Sequence, residues 1–262
     1  MSEDGAPEVS LVDRAFFEEL SEVARAAIRA TMADGLTPEN KAGDRFDPVT
    51  EADRGAERAL RAAIQARFPD HGISGEEYGV SRADAPVRWS LDPVDGTRAL
   101  VCGLPSWAVL VGLLDREEHV AGMIDLPALD ERLIAVNGRT LRNGEAVRTS
   151  GCERLREARW STTDPYLFVA DERPRIEAIW RRARIARFGL DAMAYARVAT
   201  GDIDLVVESG LQPHDVDALV AVVRGAGGVI GNWEGGDDLS GGALVAAASQ
   251  PLYEETVAAL AG

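Results

Sequence analysis

The chain has 262 residues, 46% of them hydrophobic and 27% charged, enough apolar material for a sizeable core in one large domain or two tightly joined halves. Asp and Glu number 44 against 28 Lys and Arg, a formal net charge of −16, which argues against nucleic acid or an anionic membrane surface as partner, since both need a basic face. If so acidic a protein handles phosphate, cations must bridge the two negative parties.

Residues 1 to 8 read as a mobile tail, and the opening MSEDGAPEVS is acidic with no apolar leader segment. From about Ser10 to Met32, Leu11, Phe16, Leu20, Val23, Ala27 and Ile28 recur at helical spacing. DGLTPENKAGDRFDP then reads as an exposed loop. A second helix is predicted from about Thr50 to Phe68, with Thr50 as N-cap and Glu51 and Asp53 in the first turn, where the helix dipole favours acids. VRWSLDP, SWAVLVGLLD, EHVAGMIDL, RLIAVNG and the short TLRNGE turn region read as strands with tight connections, a mostly antiparallel sheet. Past Arg154 strands and helices alternate: EARWSTT, RIARFG, DIDLVVES and GALVAAAS as strands, with ERPRIEAIWRRA, DAMAYARVATG, HDVDALVAVVRGAGG and PLYEETVAALAG as helices. The economical architecture is two αβ halves, residues 9–150 and 151–262, sharing one crevice.

Cys102 and Cys152 have neither disulfide-framework nor metal-site spacing, and no apolar run approaches the ~20 residues of a membrane span. A soluble, cytoplasmic protein with reduced thiols is expected. Four segments carry candidate chemistry. In LDPVDGT, Leu91 to Thr97, an apolar strand delivers Asp92, Pro93 ends the strand, and Asp95 and Gly96 form a turn before TRALV begins a short helix. Asp92 and Asp95 would project into one space, and the N–H groups near Gly96 and Thr97 would face outward as an anion site. Carboxylates beside such a site repel the anion unless a divalent cation lies between them, and oxygen ligands with a phosphate partner suit Mg²⁺. GEEYG, Gly75 to Gly79, places Glu76 and Glu77 on a loop or strand end, where paired acids are more often plain surface. Asp215 opens a strongly apolar helix after Pro213, as an N-cap would, at the inner edge of the fold. Asp53 divides evenly between a dipole partner and a functional group.

Taken together and in order, GEEYG, DPVDGT and HDVDAL resemble the inositol monophosphatase family of metal-dependent phosphatases, over nearly the whole chain from about residue 10. FDPVTEADRGAE, FPDHGISGEEYG, DPVDGTRALVCGLPSWAVLVGLL and ATGDIDLVVESGLQPHDVDALV are similar to its histidinol-phosphate phosphatase branch, which would place the protein in histidine biosynthesis. The resemblance implies an α/β/α/β/α layered sandwich, with an antiparallel sheet in the N-terminal half and a mixed sheet in the C-terminal half, and a homodimer. It implies two or three Mg²⁺ ions held by Glu76, Asp92, Asp95, Asp215 and the Val94 carbonyl. Asp53 and Thr97 would orient the attacking water, with Glu76 counted beside them in catalysis, and the Gly96 and Thr97 N–H groups would hold phosphate. Asp191, Glu208, Arg98 and Lys41 would meet the substrate.

Departures from the family pattern leave every implied ligand in place and bear on the substrate, with Leu190, Ala192 and His214 expected near the leaving alcohol. His214 replaces a tryptophan, Asp217-Ala218-Leu219 replaces a small Ala-Ala-Gly, and Leu190, Ala192 and Cys102 are unusual for the branch. The expected reaction is hydrolysis of a small phosphate monoester, histidinol phosphate first, its ammonium group meeting Asp191 and Glu208. The alternatives are an inositol, sugar or nucleoside monophosphate, or a non-catalytic metal- and phosphate-binding regulator. His71 and His119 read as ordinary surface or turn residues, and the five tryptophans as core.

Overall fold

The computed structural model describes residues 12–40 and 48–262; the expected tail and the loop position of Lys41 lie outside them. Helix α1 (Arg14–Asp34) starts from Asp13, whose carboxylate accepts the Phe16 N–H at 3.0 Å. The short strands β1 (Glu39–Asn40) and β2 (Pro48–Val49) pair antiparallel and lead into α2 (Glu51–Arg67), capped by Thr50 as its sequence predicts. β3 (Gly72–Gly75), β4 (Gly79–Ser81) and β5 (Val87–Asp95) follow, then the single-turn-plus helix α3 (Thr97–Val101). Four antiparallel strands come next, β6 (Ala108–Asp115), β7 (Glu118–Leu126), β8 (Glu131–Val136) and β9 (Arg139–Arg142), with the two-residue β10 (Glu145–Ala146) at the edge. Their sheet has the order β10-β9-β8-β7-β6-β5-β3-β4 and is antiparallel except where β3 runs parallel to β5.

The rest of the chain alternates. β11 (Arg159–Thr162), α4 (Arg173–Arg182), β12 (Ile185–Phe188), α5 (Ala192–Thr200), β13 (Leu205–Glu208), α6 (Pro213–Gly225), β14 (Val229–Asn232), β15 (Leu244–Ala247) and α7 (Gln250–Ala261) form a five-stranded mixed sheet, order β12-β11-β13-β15-β14, with helices on both faces.

The layers follow from strand alternation, since successive side chains face opposite ways. On β6, Val109, Val111 and Leu113 join Phe17 and Leu20 of α1 and Leu60 and Ile64 of α2 in one core, while Ala108 and Leu110 join α5 and α6 in a second. On the other sheet Val206, Leu244 and Ala246 face that second core, and Leu205, Val207 and Val245 face a third with α4 and α7. The order is α1/α2, sheet, α5/α6, sheet, α4/α7, the five-layered sandwich expected. Helix α6 is buried continuously from Val216 to Val223 because it has a sheet on each side. Its seat on the first sheet is tight: a Cβ on Gly122 would lie 2.6 Å from the Ala218 carbonyl oxygen, and one on Gly112, its cross-strand partner, 2.9 Å from the Asp217 carbonyl carbon. Here the sheet supplies the small residues, which lets the helix carry Asp217-Ala218-Leu219.

Several expectations change. Pro93 does not end its strand: β5 continues to Asp95, and Pro93 sits within a register shift between Asp92 and Asp95, where no ladder donor is needed. TLRNGE, read as a turn region, is the hairpin of β9 and β10, while β3, β4 and β14 arise from stretches with no clear strand signal. His71 is buried, its Nδ1 accepting the Trp89 indole N–H at 3.0 Å while its ring stacks on Phe68, because a core tryptophan needs an acceptor. His119 Nε2 donates to Asp217 Oδ1 at 3.0 Å, so a buried acid on α6 recruits it. Trp89, Trp107, Trp160 and Trp233 are core, but Trp180 is 48% exposed on α4.

Candidate active site

The bulge in β5 builds the centre of the site. Asp92 Oδ1 accepts the Val94 N–H at 3.0 Å, closing a small turn over Pro93. Asp95 Oδ2 accepts the Ala192 N–H at 2.7 Å and so reaches across to the start of α5. Gly96 then takes φ +77°, and a Cβ there would be 3.0 Å from Asp191 Oδ2, so glycine serves both the left-handed backbone and the close approach. Thr97 opens α3, its hydroxyl 3.0 Å from both Asp53 Oδ1 and the Val94 carbonyl oxygen.

Asp53 has two duties. Its Oδ2 accepts the Thr50 N–H at 2.8 Å and the Thr50 hydroxyl at 2.6 Å, completing a capping box at the start of α2, and its Oδ1 meets Thr97. One carboxylate thus serves both the start of α2 and the turn that carries Thr97. Asp215 likewise lies in the first turn of α6 and accepts the Gln212 N–H at 2.7 Å. Glu76 follows β3, its N–H donating to the Leu91 carbonyl at 3.2 Å.

These segments converge. Oxygens of Asp92, Asp95 and Asp215 all lie within 4.8 Å of one another, and Glu76 lines the same cavity of about 340 Å³. Burial, followed by the negative charges of Glu76, Asp95 and Asp215, pushes the Asp92 carboxyl well above the usual carboxylate range. Burial and the charges of Asp191, Asp215 and Glu76 do the same to Asp95, against the opposing Ala192 N–H. Acids gathered so closely relieve their repulsion only by protonation or by a cation. An all-oxygen donor set fits a hard divalent cation rather than a soft one.

Asp191, Glu208, Arg98 and His214 line the same cavity. Asp191 is the N-cap of α5 with φ +48° and ψ −140°, a sparsely populated conformation for a residue with a side chain. Burial raises its carboxyl to about 6, against the Arg98 charge. Glu208, at the end of β13, is buried; burial raises it to about 7, although it accepts the Thr163 N–H at 2.6 Å and the Thr162 hydroxyl at 3.1 Å. His214 Nε2 stands 3.7 Å from Asp215 Oδ1 and 4.0 Å from Glu76 Oε1. Every candidate site residue except Lys41, which is outside the described residues, thus belongs to or borders one cavity, Asp53 through Thr97. Sequence reading missed Thr162 and Thr163, whose only signal is a short strand ending in hydroxyl residues, and Glu57, one helical turn beyond Asp53.

Known proteins resemble this chain in sequence and in fold. The inositol monophosphatase family model matches residues 10–262. The bifunctional phosphatase IMPL2, chloroplastic, of Arabidopsis thaliana is 42% identical over 73% of this chain, and the match spans 56% of that relative's length. A histidinol-phosphatase of Chlorobaculum parvum is 31% identical over 81% of this chain and 83% of its own. The solved structure of an inositol monophosphatase from Zymomonas mobilis superposes with a TM-score of 0.85 at 37% identity, covering 95% of this chain and 97% of that one. With a match along almost its entire length and a shared fold, the chain belongs to the inositol monophosphatase family, a family of metal-dependent phosphatases.

Proposed function

We propose that the protein hydrolyses a small phosphate monoester with Mg²⁺, and that histidinol phosphate is its substrate. The observation that carries the reading is the meeting of Asp92 and Asp95 of β5 with Asp215 of the distant α6, beside the left-handed turn at Gly96. Glu76, Asp92, Asp95, Asp215 and the Val94 carbonyl would hold two or three Mg²⁺ ions. When bound, the ions would neutralise the phosphate, acidify a water and stabilise the departing alkoxide.

The chain's own groups position the reactants. The Thr97 hydroxyl has one proton and two flanking acceptors, Asp53 Oδ1 and the Val94 carbonyl, so it meets a water with its lone pairs and orients it by accepting. Asp53, fully buried, acts through Thr97 rather than by touching substrate. The N–H groups of Gly96 and Thr97 receive phosphate oxygens at the start of α3. The work is positioning and charge neutralisation, in keeping with a loose phosphoryl-transfer transition state, and no covalent phosphoenzyme is required.

Asp191 and Glu208 support an amine-bearing alcohol, because two carboxyl groups line the same cavity as the acid cluster. A histidinol-phosphatase name among the relatives points the same way. A second reading has its own support: with a carboxyl raised to about 7, Glu208 can also donate to a hydroxyl at neutral pH, which suits an inositol or sugar phosphate. Phosphate release from histidinol phosphate, inositol phosphates, sugar phosphates and nucleoside monophosphates, each with and without Mg²⁺, tests both. Mg²⁺-dependent preference for histidinol phosphate is the expected result. Preference for a polyol phosphate moves the substrate and keeps the chemistry, and silence on the whole panel overturns the histidinol phosphate assignment in favour of a substrate outside the panel or a non-catalytic binding role.

A further inference from the structure

Helix α2 holds two active-site segments at once. Asp53, Glu57 and Arg61 recur every four residues, so they share one face of the helix. Asp53 reaches the turn after β5 through Thr97. Glu57, equally buried, reaches a different segment, the three-residue tip between β3 and β4: its Oε2 accepts the Glu77 N–H at 2.7 Å and its Oε1 accepts the Tyr78 N–H at 3.2 Å. Arg61 Nε donates to Glu57 Oε1 at 2.7 Å, and its guanidinium also donates to the Gly79 carbonyl. The tip is thus gripped at two amides by an anion, and the first residue of β4 is held at its carbonyl by that anion's own counter-ion.

The grip is tight. A Cβ on Gly75 would fall 2.1 Å from Glu57 Oε1, so the strand approaches the carboxylate as bare backbone. The residue between Gly75 and the two gripped amides is Glu76, whose own N–H is tied to Leu91, the neighbour of Asp92. Glu76 is therefore pinned to β5 on one flank and to α2 on the other. A hairpin tip with acids between glycines would otherwise be free to shift.

We propose that Glu57 is a positioning residue: it fixes the tip so that the Glu76 carboxylate stays in the acid cluster, and α2 thereby sets the spacing between the Glu76 and Thr97 sides of the site. This rests on the reading of Glu76 as a metal-holding residue. Partners that orient metal-binding groups are worth ~10–100-fold in metal affinity, whereas a hydrogen bond that only supports a hairpin is worth stability alone.

The test is calorimetric titration of Mg²⁺ into four full-length proteins: parent, Glu57→Gln, Glu76→Gln and the double variant, each also melted in chelator. Gln keeps the size of Glu57 but turns an amide donor toward an N–H. Glu57→Gln is expected to weaken Mg²⁺ binding by about 10-fold, and to add nothing in the Glu76→Gln background, the non-additivity of groups acting through one another. A lower melting temperature in chelator with unchanged Mg²⁺ affinity would overturn the inference, as would equal weakening in both backgrounds. If Glu57→Gln does not fold, Arg61→Gln replaces it, with weakening again confined to the background that retains Glu76. Should Glu76→Gln itself leave Mg²⁺ binding unchanged, the functional reading of Glu76 fails and this inference with it. Weakening by Glu76→Gln without weakening by Glu57→Gln defeats the inference alone.

Discussion

Asp92 is held where an acid is least comfortable, buried and facing three other carboxylates. Its folded pKa lies above the unfolded value, so its contribution favours the native state at low pH and turns against it as pH rises through the folded value. Above the unfolded value the metal-free protein therefore bears a cost here, as repulsion or as a proton the site is made to keep. Asp92→Asn keeps the Oδ1 that accepts the Val94 N–H and removes the charge. We expect this variant to melt ~2–4 °C higher in chelator, the shift that about 1 kcal/mol produces in a protein of this size, while Mg²⁺-dependent turnover falls by ~10³-fold or more. A lower melting temperature in chelator, or turnover near the parent's, would contradict that account. Glu208 gives the pH counterpart. Its carboxyl is raised to about 7 from 4.5, so between those values the native state binds more protons than the unfolded one and stability drops as pH climbs. Asp204 behaves oppositely. Burial raises it, but bonds from Arg159 and Ser150 outweigh burial and hold it below the usual range, so its contribution is present above its unfolded pKa and is lost only in acid. Urea unfolding of metal-free parent and Glu208→Gln at pH 5 and pH 8 should show a smaller decline from pH 5 to pH 8 in the variant. An equal decline in both would assign that slope to other groups.

At the level of elements, the seat of α6 controls where Asp215 lies. The helix rests on Gly112 and Gly122, and the first added carbon at Gly122 would meet the Ala218 carbonyl, backbone that cannot rotate away. Gly122→Ala should cost ~1–3 kcal/mol as an overpacked contact and should also weaken Mg²⁺ binding, because the displaced helix carries Asp215. Destabilisation with Mg²⁺ affinity intact would mean that α6 yields elsewhere along its length. This packing also marks the boundary of what the sequence makes legible. Helix α2 is legible almost to the residue, because Thr50, Glu51 and Asp53 act on the adjacent turn and the signal is local. The turn at Gly96 is legible for the same reason, and the likeness of DPVDGT to a family motif adds the meaning of its acids. Strands β3 and β14, GISG and VIGN, are too short and glycine-containing to alternate; they are strands because neighbours pair with them. His71 and His119 mislead because their partners, Trp89 and Asp217, are remote in the chain. Glu57 is invisible on the same ground: nothing near it in sequence announces the amides of Glu77 and Tyr78. Pro93 shows a local rule correctly stated and wrongly applied, since a strand can carry proline inside a bulge.

On the scale of the whole molecule, a chain of net charge −16 gathers its acids from both sheets and the helices between them into one cavity. Asp92 and Asp95 come from the first sheet, Glu208 from the second, and Asp191 and Asp215 from the helices sandwiched by the two. A cation bound there would tie these layers together, and ligand that binds only the native state stabilises it by about 2.7 kcal/mol at 100 times its dissociation constant. Salt would also stabilise so acidic a protein, but by screening, which needs no site and acts over a Debye length of ~10 Å at 0.1 M. The two effects separate cleanly. Millimolar Mg²⁺ should raise the melting temperature along a saturating curve at fixed ionic strength, and NaCl should raise it gradually with no plateau at low concentration. Asp92→Asn should lose most of the Mg²⁺ increment and keep the NaCl response, because the mutation removes one site charge and leaves the bulk of the net charge in place. If the variant responds to Mg²⁺ as the parent does, the stabilisation is general screening and the layers are not joined through the acid cluster. If it loses both responses, the net charge is not what salt relieves, and the repulsion that matters is the local one around Asp92.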